Sequence, residues 1–113
     1  MDATTLFPDW RELVRYAAPG PQPTLLRDED GLRVLLAGLE PGGRIPPHPE
    51  RLAVYHALEG RGVLTLDGER MPFVAGATVI APRGSTRGIE AETRLAFLAV
   101  RIGLDLDEVG SGS

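Results

Sequence analysis

Few residues in this sequence can carry out covalent or acid–base chemistry. The 113 residues include no Cys, no Lys and only two His. Without Cys there are no disulfides, thiolate metal sites or cysteine nucleophiles. Without Lys there is no Schiff base and no attachment point for pyridoxal phosphate. All twelve basic residues are Arg, a usage that a GC-rich genome explains without any demand for guanidinium chemistry. Ser85 is the only serine before the C-terminal tail and has no His-Asp arrangement around it, so nucleophilic catalysis has little support.

His48 lies in Pro46-Pro47-His48-Pro49, a stiff extended segment that fixes the direction of its ring. It reads either as a ligand or acid–base group or as a partly exposed loop histidine. Arg87 cannot ligate a metal, because its guanidinium stays protonated. It can grip a carboxylate in a bidentate fork, or it can pair structurally with Glu50, Glu40 or another carboxylate.

The elements that must position these residues are mostly strands. Short apolar runs occur at Thr24–Arg27, Leu32–Leu39, Leu52–Glu59, Gly62–Leu66, Pro72–Val74, Thr78–Ala81, Arg87–Glu90 and Thr93–Ile102. Turn-forming stretches separate them, including Asp28-Glu29-Asp30-Gly31 and Glu40-Pro41-Gly42-Gly43. Asp67-Gly68 is a strong hairpin signal, since a type I′ turn needs positive φ at both central residues. Strands of this length and spacing predict a sandwich or barrel. The only helical candidate is Thr5–Ala18, where Phe7, Trp10, Leu13, Val14 and Ala17 fall on one face. It predicts a short helix or arm over one end of the barrel, with Trp10 as a core or lid residue. Three segments follow: an arm over 1–23, a barrel over 24–103 and a flexible acidic, Gly-Ser tail over 104–113.

The net charge of −4 and the lack of a basic stripe argue against a nucleic-acid partner. No apolar run approaches the roughly 20 residues that span a bilayer. Met1 to Trp10 has neither the basic start nor the apolar centre of a signal peptide, so the expected location is the cytoplasm.

Glu40 to Arg101 resembles the cupin superfamily. Tyr55-His56-Ala57-Leu58-Glu59-Gly60-Arg61-Gly62 is similar to that family's "YVLEGEG" segment. Gly76, five residues, Pro82, one residue and Gly84 resemble the opening of its second motif. Gly60 and Gly62 suit a bend or bulge, and Gly84 suits a tight turn after Pro82. The resemblance implies an all-β, cupin-type jelly-roll barrel with a short N-terminal helix or arm.

It also implies where a metal would be held, by three His and one Glu. Counting forward from Gly42 puts His48 at the first His position and Glu50 at the second. Counting back from Gly60 puts the Glu position on Ala53 and the second His position on His48. The last His position falls on Arg87. The expected ligand set is therefore depleted, and no cofactor is favoured. If Ala53 faces inward, alternation turns Tyr55 and Ala57 inward and Val54, His56 and Leu58 outward. A bulge would reverse His56, and His48, Glu50 and His56 could then hold Fe, Mn, Ni or Zn.

The reading preferred from sequence is a binding module for a small organic anion, with His48, Glu50, Tyr55 and Arg87 lining the pocket. Tyr55 could equally serve core packing. The alternative is a metal-dependent dioxygenase or isomerase with the reduced set. A third possibility is an interaction unit with an empty pocket. The outward apolar patch at Val54, His56 and Leu58 predicts a homodimer.

Overall fold

A computed structural model describes residues 4–103, so the expected tail at 104–113 lies outside the described residues. Ten strands are present among the described residues: β1 (Tyr16–Ala17), β2 (Thr24–Glu29), β3 (Leu32–Leu39), β4 (Arg44–Pro49), β5 (Leu52–Glu59), β6 (Arg61–Leu66), β7 (Glu69–Val74), β8 (Thr78–Ala81), β9 (Thr86–Ala91) and β10 (Leu95–Ile102). They form two facing sheets. One runs β1-β3-β10-β5-β8, with β2 also on β3, and the other runs β4-β9-β6-β7. This is the all-β jelly roll that the resemblance implies, and the strand pattern by itself points to a sandwich or barrel.

Alternation decides what each sheet buries. On β5, Ala53, Tyr55 and Ala57 are buried, while Val54, His56 and Leu58 are half-buried. Inward side chains of both sheets meet in one core, where Phe73 packs edge-on against Phe97 with ring centroids 6.1 Å apart. Asp67 and Gly68 both take positive φ, 48° and 86°, as the hairpin signal requires.

Two strands escape the sequence reading. β4 contains three prolines, which cannot donate to a ladder. It is tolerated because β4 is an edge strand paired only with β9, and its register shifts between Ile45 and His48. β1 is two residues long and runs parallel to β3.

The expected helix at 5–18 is not formed. A single 3₁₀ turn at Trp10–Glu12 remains, capped by the Asp9 side chain, and the rest is an extended arm. The arm is held by tertiary contacts that a helix would forfeit. Its backbone lies so close to Gly38 that a Cβ there would stand 2.7 Å from the Arg15 carbonyl oxygen. Tyr16 Oη donates to Glu59 Oε2 at 2.9 Å. The Arg94 guanidinium covers the Tyr16 ring at 4.5 Å and donates to both Glu40 oxygens at 2.9 and 3.1 Å. Burial, then the bond to Glu59, pushes the Tyr16 phenol up to about 12. Trp10 lines a groove on the outer sheet face with Leu26, Val34, Leu58 and Leu98. It therefore serves as neither barrel core nor lid.

Candidate functional site

Strand register sorts the interior into a basic end and an apolar end. At the basic end, Arg101 pairs with Arg33 on β3 and with Ala53 on β5. On the opposite sheet, Arg87 pairs with His48 on β4 and Leu66 on β6. Two residues further along the strands, Ala99 neighbours Leu35 and Tyr55, and beyond that Phe97 neighbours Ala37 and Ala57. A cavity of about 50 Å³ runs between these layers. His48, Tyr55, Arg87 and Arg101 are its polar walls, and Pro21 and Pro23 of the arm border it as well.

Arg87 is 1% exposed, and its donors are largely committed to backbone. Nε donates to the Ser85 carbonyl at 3.2 Å, and Nη1 to the Arg51 carbonyl at 2.6 Å. Nη2 reaches the carbonyls of Pro82 at 2.9 Å, Ser85 at 3.0 Å and Glu50 at 3.2 Å, and the Ser85 hydroxyl at 2.8 Å. The guanidinium thus ties the β8–β9 loop to the β4–β5 turn. The structural pair with a Glu carboxylate, and the free bidentate fork, both give way to this carbonyl hub. Its charge still borders the cavity, with no carboxylate within ion-pair distance among the described residues.

Arg101, which sequence reasoning missed, is in the opposite state. Its side chain is 24% exposed, and its one ion-pair partner among the described residues is Glu50 Oε2 at 3.7 Å. That separation is too long for a hydrogen bond. Its buried Nε has no hydrogen-bond partner among the described residues. The only signal in the sequence is its inward phase on β10, two positions from Ala99.

Glu50 is the single carboxylate in this cluster among the described residues. Oε2 lies 3.8 Å from His48 Nε2, and Oε1 lies 4.0 Å from Arg51 Nε. It stands at the rim and does not line the cavity wall. The ring of His48 is oriented by Nδ1, which donates to the Pro46 carbonyl at 3.0 Å when that nitrogen carries the proton. Nε2 is then left on the side of Glu50. Tyr55 is 4% exposed and borders the cavity, 6.0 Å from the Arg87 guanidinium. Its hydroxyl has no hydrogen-bond partner among the described residues.

The residues do not fit a metal held in the usual way. A divalent ion needs about three or four protein donors, and His48 with Glu50 offers two. His56 faces away from the cavity and bonds Thr78 Oγ1 at 2.7 Å, so His48, Glu50 and His56 are not brought together. No group of three or more His, Cys, Asp or Glu able to hold a metal occurs among the described residues. Ala53 faces inward at the position where the resemblance implies a Glu, and Arg87 stands at the last His position.

This arrangement, a two-sheet jelly roll with one polar cavity end, defines a class. The model of the Cupin domain family matches residues 35–101, and the chain belongs to that family. The fold is similar to a conserved protein of unknown function from Streptococcus pyogenes, at 22% identity and a TM-score of 0.78, covering 92% of this chain and 90% of that one. It is equally similar, at 20% identity and 0.78, to an uncharacterized conserved protein with a double-stranded beta-helix domain from Klebsiella pneumoniae, covering 88% and 90%. Salicylate 1,2-dioxygenase from Pseudaminobacter salicylatoxidans matches at 20% identity and 0.69, covering 77% of this chain and 27% of that one. Likenesses at these identities establish the fold alone. No curated protein matches the sequence. No described helix is long and apolar enough to cross a membrane.

Proposed function

We propose that the protein binds a small organic anion at the basic end of the barrel cavity, without a tightly held metal. The observation that carries this reading is the charge balance there. Among the described residues, two guanidiniums border the cavity, and one carboxylate lies within 4 Å of only one of them. Burying a cation without a counter-charge is costly, so an anionic guest would offset an existing penalty. Arg87 supplies fixed charge from its carbonyl hub. Arg101 supplies free N–H donors, and Tyr55 an uncommitted hydroxyl. His48 and Glu50 form the rim.

Thermal-shift screening of carboxylates and phosphate tests this. Anions are expected to stabilise the wild type and not Arg101→Gln. Equal stabilisation of both proteins would remove Arg101 from the site, and no stabilisation by any anion would remove the site itself.

The metal-enzyme reading with His48, Glu50 and His56 draws no support from the position of His56. Elemental analysis of protein purified without a tag or chelator checks it, and stoichiometric iron, manganese, nickel or zinc would restore it. A homodimer is the proposed assembly. Its support is the outer face carrying Val54, His56 and Leu58, beside which Ile80 is 66% exposed.

A further inference from the structure

We infer that the ligand is a short monocarboxylic acid with an unbranched apolar tail, bound tail inward. The inference rests on the cavity being an anion site and adds the shape and charge of the guest. Three observations set it.

The first is polarity along the strands. Arg101, whose N–H donors can meet a carboxylate, shares the end layer with His48. Phe97, Ala37, Ile89 and Ile45 supply the walls beyond it. A guest polar at both ends would strand one end against hydrocarbon, where an unpaired polar group is costly. The second is charge. Glu50 already faces Arg101 and Arg51 at 3.7 and 4.0 Å, so a dianion would crowd that carboxylate, whereas a monoanion answers Arg87, the cavity guanidinium with no carboxylate within ion-pair distance among the described residues. The third is size. A cavity of about 50 Å³ holds about four waters, which admits a few carbons and no large ring system. Ala99 and Ala37, on adjacent inward layers of neighbouring strands, leave that space open, so these two small residues set the tail length.

The test is calorimetric titration of the full chain with acetate, propionate, butyrate, valerate and hexanoate, with malonate and phosphate as polar anions of higher charge. Affinity should rise about fourfold per added methylene, the ratio expected for burying one CH₂, and stop rising at about four or five carbons. Ala99→Val should move that limit down by about one carbon, because the added methyls fill space the tail would occupy. If that variant folds poorly, nuclear Overhauser contacts from the butyrate methyl to the Phe97 ring in the wild type give the orientation directly.

An affinity independent of chain length, or methyl contacts to His48 instead of Phe97, would overturn the inference. Binding of malonate or phosphate in preference to butyrate would overturn it while leaving the anion site standing. No binding by any of these anions would overturn both.

Discussion

Arg87 Nη1 donates to the backbone carbonyl of Arg51 across 2.6 Å, joining two loops that are 36 residues apart in sequence. The bond belongs to a hub in which one buried guanidinium satisfies carbonyls of Glu50, Arg51, Pro82 and Ser85. At a position where the family resemblance implies a metal ligand, this chain carries an arginine that fastens the cavity end and holds a positive charge beside it.

Arg87→Met keeps most of the side-chain volume and removes every donor. It should destabilise the fold by roughly 3 kcal/mol, because buried carbonyls lose their partners. Thermal denaturation followed by circular dichroism should show a Tm lower by roughly 10 °C or more. A shift within about 2 °C would show that the hub contributes little to stability.

Gly60 and Gly68 have nearly the same φ, 85° and 86°, but different surroundings. A Cβ at Gly60 would collide with the Arg94 carbonyl oxygen, whereas one at Gly68 meets nothing within 4 Å. Gly68→Ala should therefore cost only the left-handed backbone penalty, about 1 kcal/mol. Gly60→Ala should cost at least about 3 kcal/mol. Denaturant titration of the two variants checks the order, and equal losses would refute the steric argument.

The latch on the arm should make stability depend on pH at both extremes. The Tyr16 phenol is raised to about 12, by burial first and then by its bond to Glu59. The neutral form is favoured in the folded chain. Its contribution is complete below the phenol's ordinary value of 10.0 and is lost as the pH rises toward 12. Glu40 is shifted the other way, because Arg94 hydrogen-bonds its carboxylate and holds the group below its usual value. Its contribution is present above the ordinary carboxylate value and is lost as the pH falls. Tyr16→Phe should flatten the alkaline limb of a stability–pH curve and leave the acid limb unchanged.

Self-association through the outer sheet face predicts a sedimentation coefficient of a dimer at micromolar concentration. Ile80→Asp, at a side chain that is 66% exposed, should shift the equilibrium to monomer without lowering the intrinsic stability of the barrel. A wild-type monomer under these conditions would rule out the dimer.

What the sequence determined by itself is local. Alternation turned Ala53, Tyr55 and Ala57 inward and His56 outward, because strand geometry reverses each successive side chain. Asp67-Gly68 specified its hairpin, because positive φ at both residues is a property of the turn. Tertiary structure decided the rest. The periodic segment 5–18 became an arm because Tyr16, Arg94 and Gly38 offered it contacts that local periodicity cannot register. The prolines of β4 became a strand because an edge position needs fewer donors. Arg101 reads in sequence as one more arginine near a strand end. It became a cavity residue only when β10 paired with β3 and β5 and the opposite sheet brought Arg87 and His48 to the same end. Side-chain direction follows from neighbours along the chain, whereas convergence follows from long-range register, and no local pattern records it.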